Sequence, residues 1–391
     1  MFFKDQICRL IFFGSAIALF RRQCRSFIEY LFFMKEKYFT DTLMKWHKRS
    51  NQREMPWKGE KDPYKIWLSE VILQQTRVAQ GWDYYNRFIK QYPSIGQLAK
   101  AKDREVFKLW EGLGYYNRCK NLLYTAREIT QNRNGVFPDR YEDILALKGV
   151  GPYTAAAIAS FAYNLPYAVV DGNVFRVLSR YFGLDEPIDS VAGKQLFTEL
   201  AGKVLAKKEA GLYNQAIMDF GATVCKPFSP SCSTCDLQKK CAAYREGKVN
   251  QLPVKEKTLA RRHRWFYYFL FEHEGKFLVT HRTGKDIWQN LYEFYLLETD
   301  EPVKWDEVKV RAWLTEQIGI RKAVVSDISP VFVQQLTHQQ IKGQFIRVQL
   351  NTIPGFLKKH PWHTANGLQK LAFPRFITQY REAFPLSSRL S

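Results

Sequence analysis

Apolar residues recur every three or four positions from Met34 to about Tyr244, and this spacing predicts a series of amphipathic α-helices. Glycine-containing turns interrupt the periodic segments at Gly112-Leu113-Gly114, Asn134-Gly135 and Gly149-Val150-Gly151. Residues 34–244 are therefore predicted to form one all-α region.

The pattern changes after residue 264, where short runs rich in aromatic and β-branched residues predict strands. A helix is predicted over Asp306–Glu316, so residues 265–391 should form a smaller α+β domain. The predicted strands are Trp265–Phe271, Lys276–Arg282, Glu293–Leu297 and Phe345–Leu350.

Two further segments lie outside these domains. Arg245–Arg264 carries seven basic and two acidic residues with little apolar periodicity, which predicts a basic linker over 245–264. Residues 1–33 are interpreted as an N-terminal extension, with translation starting at Met34. Their apolar run, Leu10–Phe20, has 11 uncharged residues. A membrane-spanning helix needs roughly 18, and arginines follow on the flank where a signal peptide would not carry them.

The composition of the 391-residue chain limits the classes of function. Hydrophobic residues make up 46% and charged residues 25%, which excludes a disordered, collagenous or multi-span membrane chain. The formal net charge of +21 predicts a polyanionic partner. Since the basic residues are spread among aromatic and glycine-rich segments rather than on an amphipathic anchor, nucleic acid is favoured over a membrane surface.

Glu70 is the only ionisable side chain between Lys65 and Arg77, within an apolar helical segment. Burial disfavours the charged form of a carboxyl group and raises its pKa, which turns a glutamate into a general acid near neutral pH. From this segment alone, a structural glutamate that caps a helix or pairs with an arginine is an equal alternative.

A second isolated carboxylate, Asp171, is the only charged residue between Lys148 and Arg176. It stands at a predicted helix start, where aspartate is commonly an N-cap. Upstream, the turn Gly149-Val150-Gly151 leads into an alanine-rich helix. The backbone amides of this turn can bind a phosphate, and Lys148 adds positive charge. The alternative is that the turn only connects two helices. Taken together, the two carboxylates form the pair that glycosidic cleavage needs, one protonated acid and one ionised stabiliser of an oxocarbenium-like cation.

Four of the seven cysteines fall within 17 residues, at Cys225, Cys232, Cys235 and Cys241. The other three cysteines are scattered, and such a pattern in a large charged chain favours a metal site over disulfides. Thiolate chemistry alone leaves zinc and an iron–sulfur cluster both open.

In order along the chain, these segments resemble the helix-hairpin-helix DNA glycosylases and, within them, the adenine DNA glycosylases of the MutY family. The similarity extends over nearly all of the chain from Met34 onward. The resemblance implies an all-α helix-hairpin-helix glycosylase region with a [4Fe–4S] cluster loop, followed by a smaller α+β Nudix-like domain. It is carried by Ser69-Glu70-Val71-Ile72-Leu73-Gln74-Gln75-Thr76, Gly112-Leu113-Gly114-Tyr115-Tyr116, Gly149-Val150-Gly151, Val170-Asp171-Gly172-Asn173-Val174 and the spacing of the four clustered cysteines.

The resemblance also implies residue roles. The glutamate that matches Glu70 protonates the adenine and helps to position water, and the aspartate that matches Asp171 stabilises the sugar cation. Residues that match Tyr153 and Asn173 assist at the same centre. Two further residues enter the duplex where the base has left, and they match Gln75 and Tyr115.

The C-terminal domain resembles the Nudix-related domain of MutY enzymes, which senses 8-oxoguanine opposite adenine through a loop usually reading Phe-Ser-His. Here the loop is Leu336-Thr337-His338, so the hydroxyl and the imidazole are present and the aromatic ring is missing. A polar hairpin face is the alternative interpretation of Thr337 and His338. Nucleotide hydrolysis is not expected, because Glu316 is the only carboxylate left of the run that would bind catalytic magnesium.

Tyr153 distinguishes this chain from endonuclease III-like bifunctional enzymes, which carry a lysine there. A tyrosine cannot form the Schiff base that a β-lyase requires. Tyr153 therefore predicts a monofunctional enzyme. Together with this residue, the resemblance implies a base-excision repair glycosylase that acts on double-stranded DNA with adenine opposite 8-oxoguanine or guanine. It also implies a monomer in the bacterial cytoplasm. Alternatives from other classes are a non-catalytic, cluster-bearing DNA-binding protein and a Nudix-type hydrolase.

Overall fold

The computed structural model describes residues 17–256 and 261–386, with side chains from residue 33 onward. The chain divides into two compact units. Unit 1 consists of the residues up to 70 and of 137–257, and unit 2 of 71–136 and the residues from 258 onward. The first 16 residues of the predicted N-terminal extension lie outside the described residues, and the domain boundaries and start codon stay predictions.

Helices form the framework of residues 17–256, where no strand occurs. Helix α1 (Ile17–Ser50) runs through Met34 without a break, and α2 (Pro63–Leu73) begins in unit 1 and ends in unit 2. The helices of unit 2 that follow are α3 (Val78–Gln91), α4 (Ile95–Lys100), α5 (Asp103–Trp110) and α6 (Asn117–Asn132). The chain then returns to unit 1 with α7 (Tyr141–Leu145), α8 (Pro152–Tyr163), α9 (Gly172–Phe182), α10 (Val191–Val204), α11 (Ala210–Thr223) and α12 (Ala242–Arg245).

Local sequence explains where several of these helices begin and end. The Ser94 hydroxyl accepts from the Gln97 amide, and the Gln97 side chain accepts from the Ser94 amide, which is a capping box at the start of α4. Helix α8 begins with Pro152, which has no amide to leave unpaired. Helix α9 ends at Phe182 and is capped by Gly183, whose φ of +76° is readily adopted only by glycine.

The core of unit 1 is aromatic and fixes the position of α9. Tyr181 of α9 packs on Phe39 of α1, with ring centroids 4.8 Å apart. Phe220 of α11 meets Trp46 of α1 edge-on at 4.9 Å. Because α9 and α11 are both held against α1, the first turn of α9 has a defined place in the unit.

The strands lie in the C-terminal part of unit 2. They are β1 (Arg262–His273), β2 (Lys276–Leu278), β3 (Thr280–His281), β4 (Tyr292–Glu293), β5 (Tyr295–Thr299), β6 (Ala323–Ile328), β7 (Phe332–Gln335), β8 (Gln339–Leu350) and β9 (Trp362–Thr364). A mixed sheet has the order β6-β8-β1-β2-β9, with β5 also paired to β1, β7 also paired to β8, and β3 and β4 paired separately. Strands β1 and β8 run parallel, and Gly343 of β8 lies so close to β1 that a Cβ atom would come within 1.7 Å of the Phe266 carbonyl oxygen. The helices of this part are α13 (Glu307–Glu316), α14 (Ala365–Leu368) and α15 (Arg375–Ala383).

Polar contacts join the helical and sheet-containing parts of unit 2. The Glu111 carboxylate accepts from the Phe373 amide at 2.7 Å, and the Lys108 ammonium donates to the Leu371 carbonyl at 3.0 Å. The Tyr84 hydroxyl donates to the Glu111 carbonyl at 2.6 Å. Glu111 immediately precedes the glycine-rich turn that carries Tyr115, so this turn is anchored to the C-terminal part of the same unit.

The predicted fold class, a helical region followed by a smaller α+β domain, is confirmed. The bounds of several strands differ from the predicted ones. Strand β8 begins at Gln339, whereas the predicted strand began at Phe345. The first half of β8 was missed because it is polar and has no apolar run, but it pairs with β1. The predicted strand Glu293–Leu297 is interrupted at Phe294, which is buried. Strands β6, β7 and β9 were not predicted.

The predicted basic linker is bonded to unit 1 over part of its length. The Leu252 carbonyl accepts from Arg180 Nε and the Val254 carbonyl accepts from the Ile188 amide, each at 3.0 Å. Its last residues, from Arg262, belong to β1. Within the part of the chain that the structure describes, no helix is long and apolar enough to cross a membrane.

Candidate active site

Glu70 lies on α2 among apolar side chains and is 6% exposed. Burial raises its pKa to about 7, and the negative charge of Asp171 acts in the same direction. A hydrogen bond from the Tyr153 hydroxyl partly offsets this increase by stabilising the charged form. Among the residues that the structure describes, no arginine pairs with Glu70. Because its pKa is about 7, its carboxyl is half-protonated near neutral pH.

Asp171 is the N-cap of α9, as its position in the sequence indicated. One carboxylate oxygen accepts from the Val174 amide at 2.8 Å, and the other accepts from the Asn173 side-chain amide at 2.7 Å. The same carboxylate is close enough to Glu70 to raise its pKa. Asp171 therefore caps α9 and also acts on the charge of Glu70, so the cap and the predicted carboxyl pair are compatible interpretations.

A buried arginine extends this arrangement to the cysteine loop. Arg176 Nη2 donates to the Asn173 side-chain oxygen at 2.8 Å, and Arg176 Nε donates to the Cys225 carbonyl at 2.7 Å. Gly221 of α11 lies against Asn173, where a Cβ atom would come within 2.6 Å of the Asn173 Cβ. Sequence reasoning missed Arg176, although a basic residue on the buried face of an amphipathic helix is a usable signal.

The turn between α7 and α8 contains the predicted phosphate-binding residues Lys148, Gly149 and Gly151. Gly149 has a φ of +82°, and Gly151 is the extended N-cap before Pro152. Lys148 and Gly149 are exposed, while Val150 is buried beneath them. Such a turn presents backbone amides of a helix N-terminus together with a lysine, which suits a phosphate group.

The four thiols of the cysteine loop line one small cavity, together with Arg180. Arg180 Nη1 donates to Cys225 Sγ at 3.5 Å and to the Lys226 carbonyl at 2.7 Å. Short 3-10 turns at Cys232–Thr234 and Gln238–Lys240 hold the loop. In the described part of the chain no group of three or more His, Cys, Asp or Glu side chains is arranged around a single metal position.

Unit 2 brings together the other four predicted site residues. Gln75, Tyr115, Thr337 and His338 line one cavity of about 580 Å³. The Tyr115 hydroxyl contacts the Thr337 hydroxyl. Further lining residues that sequence reasoning missed include Trp288 and Gln289, from the loop before β4, and Arg375.

Gln75 and Tyr115 share an unusual backbone conformation. Their φ angles are +56° and +48°, in the left-handed region that side-chain-bearing residues rarely adopt. Tyr115 is 45% exposed despite its large ring. Residues held in such conformations often lie at functional sites, where the surrounding structure maintains the strain.

Replacing Tyr153 by phenylalanine tests the hydrogen bond to Glu70. Because that bond lowers the pKa of Glu70, its loss is expected to raise this pKa. The alkaline limb of the pH–rate profile, for the base removal that the resemblance implies, should then move to higher pH. Single-turnover rates across neutral and alkaline pH measure the shift. The control is Tyr163→Phe, at the other end of α8, where the hydroxyl donates to the Phe137 carbonyl at 3.4 Å. A limb that stays in place, or moves to lower pH, in Tyr153→Phe would contradict the assignment.

Comparison with known proteins finds a matching family for the helical region and another for the C-terminal region. A profile of the HhH-GPD superfamily of base excision DNA repair proteins matches residues 68–201, and a NUDIX domain profile matches residues 266–383. A solved structure of a thermostable thymine-DNA glycosylase aligns with a TM-score of 0.51 at 30% sequence identity, covering 55% of this chain and 98% of that one.

Two relatives show how far the similarity extends. Adenine DNA glycosylase of Mus musculus is 39% identical over 228 residues, which are 55% of this chain and 44% of the mouse protein. Adenine DNA glycosylase of Buchnera aphidicola subsp. Acyrthosiphon pisum (strain APS) is 32% identical over 356 residues, which are 90% of this chain and 99% of that protein. The latter match includes the helical region and the C-terminal domain together, and the chain therefore belongs to the adenine DNA glycosylase family.

Proposed function

We propose that this protein is a monofunctional glycosylase of base-excision repair that removes adenine opposite 8-oxoguanine or guanine in duplex DNA. The observation that carries this proposal is the pair of carboxyl groups in unit 1. Glu70 is buried with a pKa of about 7, and Asp171 is half-buried and accepts two hydrogen bonds at the start of α9. Such a pair, with unlike environments, supports acid-assisted cleavage of a glycosidic bond.

The two groups would act on opposite charges that develop during cleavage. As the bond between the adenine nitrogen and the sugar carbon breaks, its electron pair leaves with the base and Glu70 supplies a proton to that base. The sugar becomes an oxocarbenium-like cation, which the negative charge of Asp171 stabilises. Water then adds to the cation and loses a proton, leaving an abasic site in an uncut strand.

The monofunctional assignment rests on Tyr153. This residue lies on α8 and donates to Glu70, in the position where an amine would be required for imine formation. A phenol cannot form an imine with the sugar aldehyde, so the strand should be cut only when alkali is added.

Recognition of the opposite base is assigned to Thr337 and His338. Eight-oxoguanine differs from guanine by an added oxygen and a proton on N7, so one hydroxyl and one imidazole can distinguish the two bases. Both residues line the cavity of unit 2 that Gln75 and Tyr115 also line. Leu336 replaces the aromatic residue of the family loop and would provide only apolar contact.

The cofactor proposed for Cys225, Cys232, Cys235 and Cys241 is a [4Fe–4S] cluster. Four thiols that line one cavity provide the ligand set of a cysteine-bound cluster, and the family resemblance favours iron and sulfide over a zinc ion. Backbone amides and the Arg180 guanidinium lie next to these sulfur atoms and would stabilise their negative charge. The cluster would act as a structural cross-link of the loop, while the neighbouring lysines contact phosphate.

A direct test of the cofactor is iron and sulfide analysis of anaerobically purified protein. We expect iron, acid-labile sulfide and broad absorption at the blue end of the visible spectrum, all reduced in Cys235→Ser. Cys119→Ala is the matched control, because Cys119 is a buried thiol outside the loop and its replacement should leave the iron content unchanged. Stoichiometric zinc in place of iron would contradict the proposal.

Strand cleavage with and without alkali tests the proposed activity. Duplexes would carry adenine opposite 8-oxoguanine, guanine or thymine. We expect alkali-dependent cutting at adenine opposite the first two bases and none opposite thymine. Cutting without alkali would show a lyase and remove the monofunctional assignment, and binding without base release would favour a non-catalytic DNA-binding protein.

A double variant tests the role of the loop Leu336-Thr337-His338 in recognising the opposite base. In Thr337→Ala/His338→Ala, the ratio of adenine release opposite 8-oxoguanine to release opposite guanine is expected to fall roughly 10-fold, since a polar contact unique to the oxidised base is lost. His281→Ala, an exposed histidine of the same domain, is the control. An unchanged ratio in the double variant would place the discrimination elsewhere.

A further inference from the structure

Arg118, in the first turn of α6, lies between the two segments that carry Gln75 and Tyr115. Its Nη1 donates to three carbonyls at the end of α2 and just beyond it, those of Val71 at 2.8 Å, Ile72 at 3.0 Å and Gln74 at 2.5 Å. The last of these carbonyls belongs to the residue before Gln75. One terminal nitrogen of the guanidinium therefore holds the backbone on the approach to the first left-handed residue.

The other terminal nitrogen contacts both segments. Arg118 Nη2 lies 3.4 Å from the Thr76 hydroxyl, directly after Gln75. It also lies 3.4 Å from the carbonyl of Gly114, the residue before Tyr115. Each left-handed residue is thus preceded by a peptide whose carbonyl accepts from this one side chain.

The guanidinium is itself held in place by aromatic rings. Its central carbon lies 5.2 Å from the centroid of the Trp110 ring and 5.3 Å from that of Tyr115. The Trp110 indole also donates to the Gly114 carbonyl, at 3.0 Å. Only arginine has a planar set of donors that can reach several carbonyls in different directions, and lysine, with one ammonium group, cannot reproduce it.

We propose that Arg118 is a positioning residue that keeps Gln75 and Tyr115 in their left-handed conformations, ready to enter the duplex when the adenine leaves the stack. This role rests on the proposed function, because it assigns Arg118 to base extrusion rather than to chemistry. The geometry supports it because two strained residues far apart in sequence are each preceded by a carbonyl that accepts from one half-buried guanidinium. Loss of the guanidinium contacts would let the backbone relax at Gln75 and at Tyr115, and the two side chains would then be positioned less accurately.

The test compares Arg118→Lys with Arg127→Lys. Arg127 is on the same helix and also donates to carbonyls, those of Ala99 at 3.2 Å and Ala101 at 3.0 Å, with neither residue in a left-handed conformation. Extrusion would be followed by the fluorescence of 2-aminopurine at the target position, in a Glu70→Gln background that prevents cleavage. Adenine release would be followed separately under single-turnover conditions.

For Arg118→Lys we expect a roughly 10- to 100-fold lower rate of adenine release, since small misplacements of positioning groups cost this much. The fluorescence increase on binding should be largely lost, and the midpoint of the pH–rate profile should match that of the wild-type protein. Arg127→Lys should behave like the wild type in all three measurements. If Arg118→Lys does not fold, Thr76→Val removes one contact of the Arg118 guanidinium and should also reduce base extrusion.

Two results would overturn the inference. One is extrusion and release at wild-type levels in Arg118→Lys. The other is a loss of release accompanied by a shifted pH midpoint, because α2 also carries Glu70 and a shift would mean that the general acid had been displaced. Wild-type protein that releases no adenine would instead refute the proposed function, so the two failures are distinguishable.

Discussion

Single-turnover release of adenine is expected to fall by roughly 10²- to 10⁴-fold when Glu70 is replaced by glutamine. Glutamine preserves the size of the side chain and can still accept from the Tyr153 hydroxyl, but it has no acidic proton for the leaving base. Binding of the mispaired duplex should therefore remain near the wild-type level. Release at the wild-type rate would show that Glu70 is not the general acid.

The pH dependence of release provides a second readout for Glu70. Because its pKa is raised to about 7, the acid is protonated below this pH and becomes ionised as the pH increases through it. Release by the wild-type protein should accordingly decline above neutral pH. The residual activity of Glu70→Gln should lack this decline, since an amide does not titrate in this range.

The same substitution is expected to stabilise the folded protein at alkaline pH. A carboxyl with a pKa of 4.5 when unfolded and about 7 when folded binds its proton more tightly in the folded state. Stability is then lost as the pH increases from the lower to the higher value, and the loss amounts to about 3 kcal/mol once both states are ionised. Denaturant unfolding of Glu70→Gln and wild type should agree in acid and differ above neutral pH. Equal stabilities at alkaline pH would contradict the raised pKa.

Asp171→Asn is expected to reduce adenine release by roughly 10²- to 10³-fold, because the cation loses the negative charge that stabilises it. Asparagine caps a helix as well as aspartate does, so the start of α9 should remain intact. Removal of this charge should also lower the pKa of Glu70 and move the alkaline limb to lower pH. Both changes would be measured in one set of single-turnover pH profiles.

The matched control for that variant is Asp306→Asn. Asp306 caps α13 by accepting from the Lys309 amide at 2.8 Å, which is the same contact that Asp171 makes with Val174. Its replacement should leave adenine release unchanged. If Asp171→Asn were no more damaging than Asp306→Asn, Asp171 would be a helix cap and nothing more.

Much of the architecture followed from local patterns. The helical spacing and the glycine turns predicted the all-α region, and aromatic and β-branched runs located β1 and the second half of β8. The cap at Asp171 and the turn at Gly149 were predictable because their conformations depend on nearby residues. Strands with mixed exposure, such as β6, were missed because their sequences carry no clear alternation.

By itself, the sequence determined which residues could carry chemistry: Glu70 and Asp171 as isolated carboxylates, and the four cysteines by their spacing. Whether Glu70 pairs with an arginine or with Tyr153 was decided only in the folded protein, which buries Glu70, places Tyr153 beside it and so sets its pKa. The contacts that Arg176 and Arg118 make with distant carbonyls likewise required the tertiary structure. These interactions join segments that are distant in the chain. The burial of a side chain and the direction of a distant carbonyl depend on the whole fold and cannot be inferred from neighbouring residues.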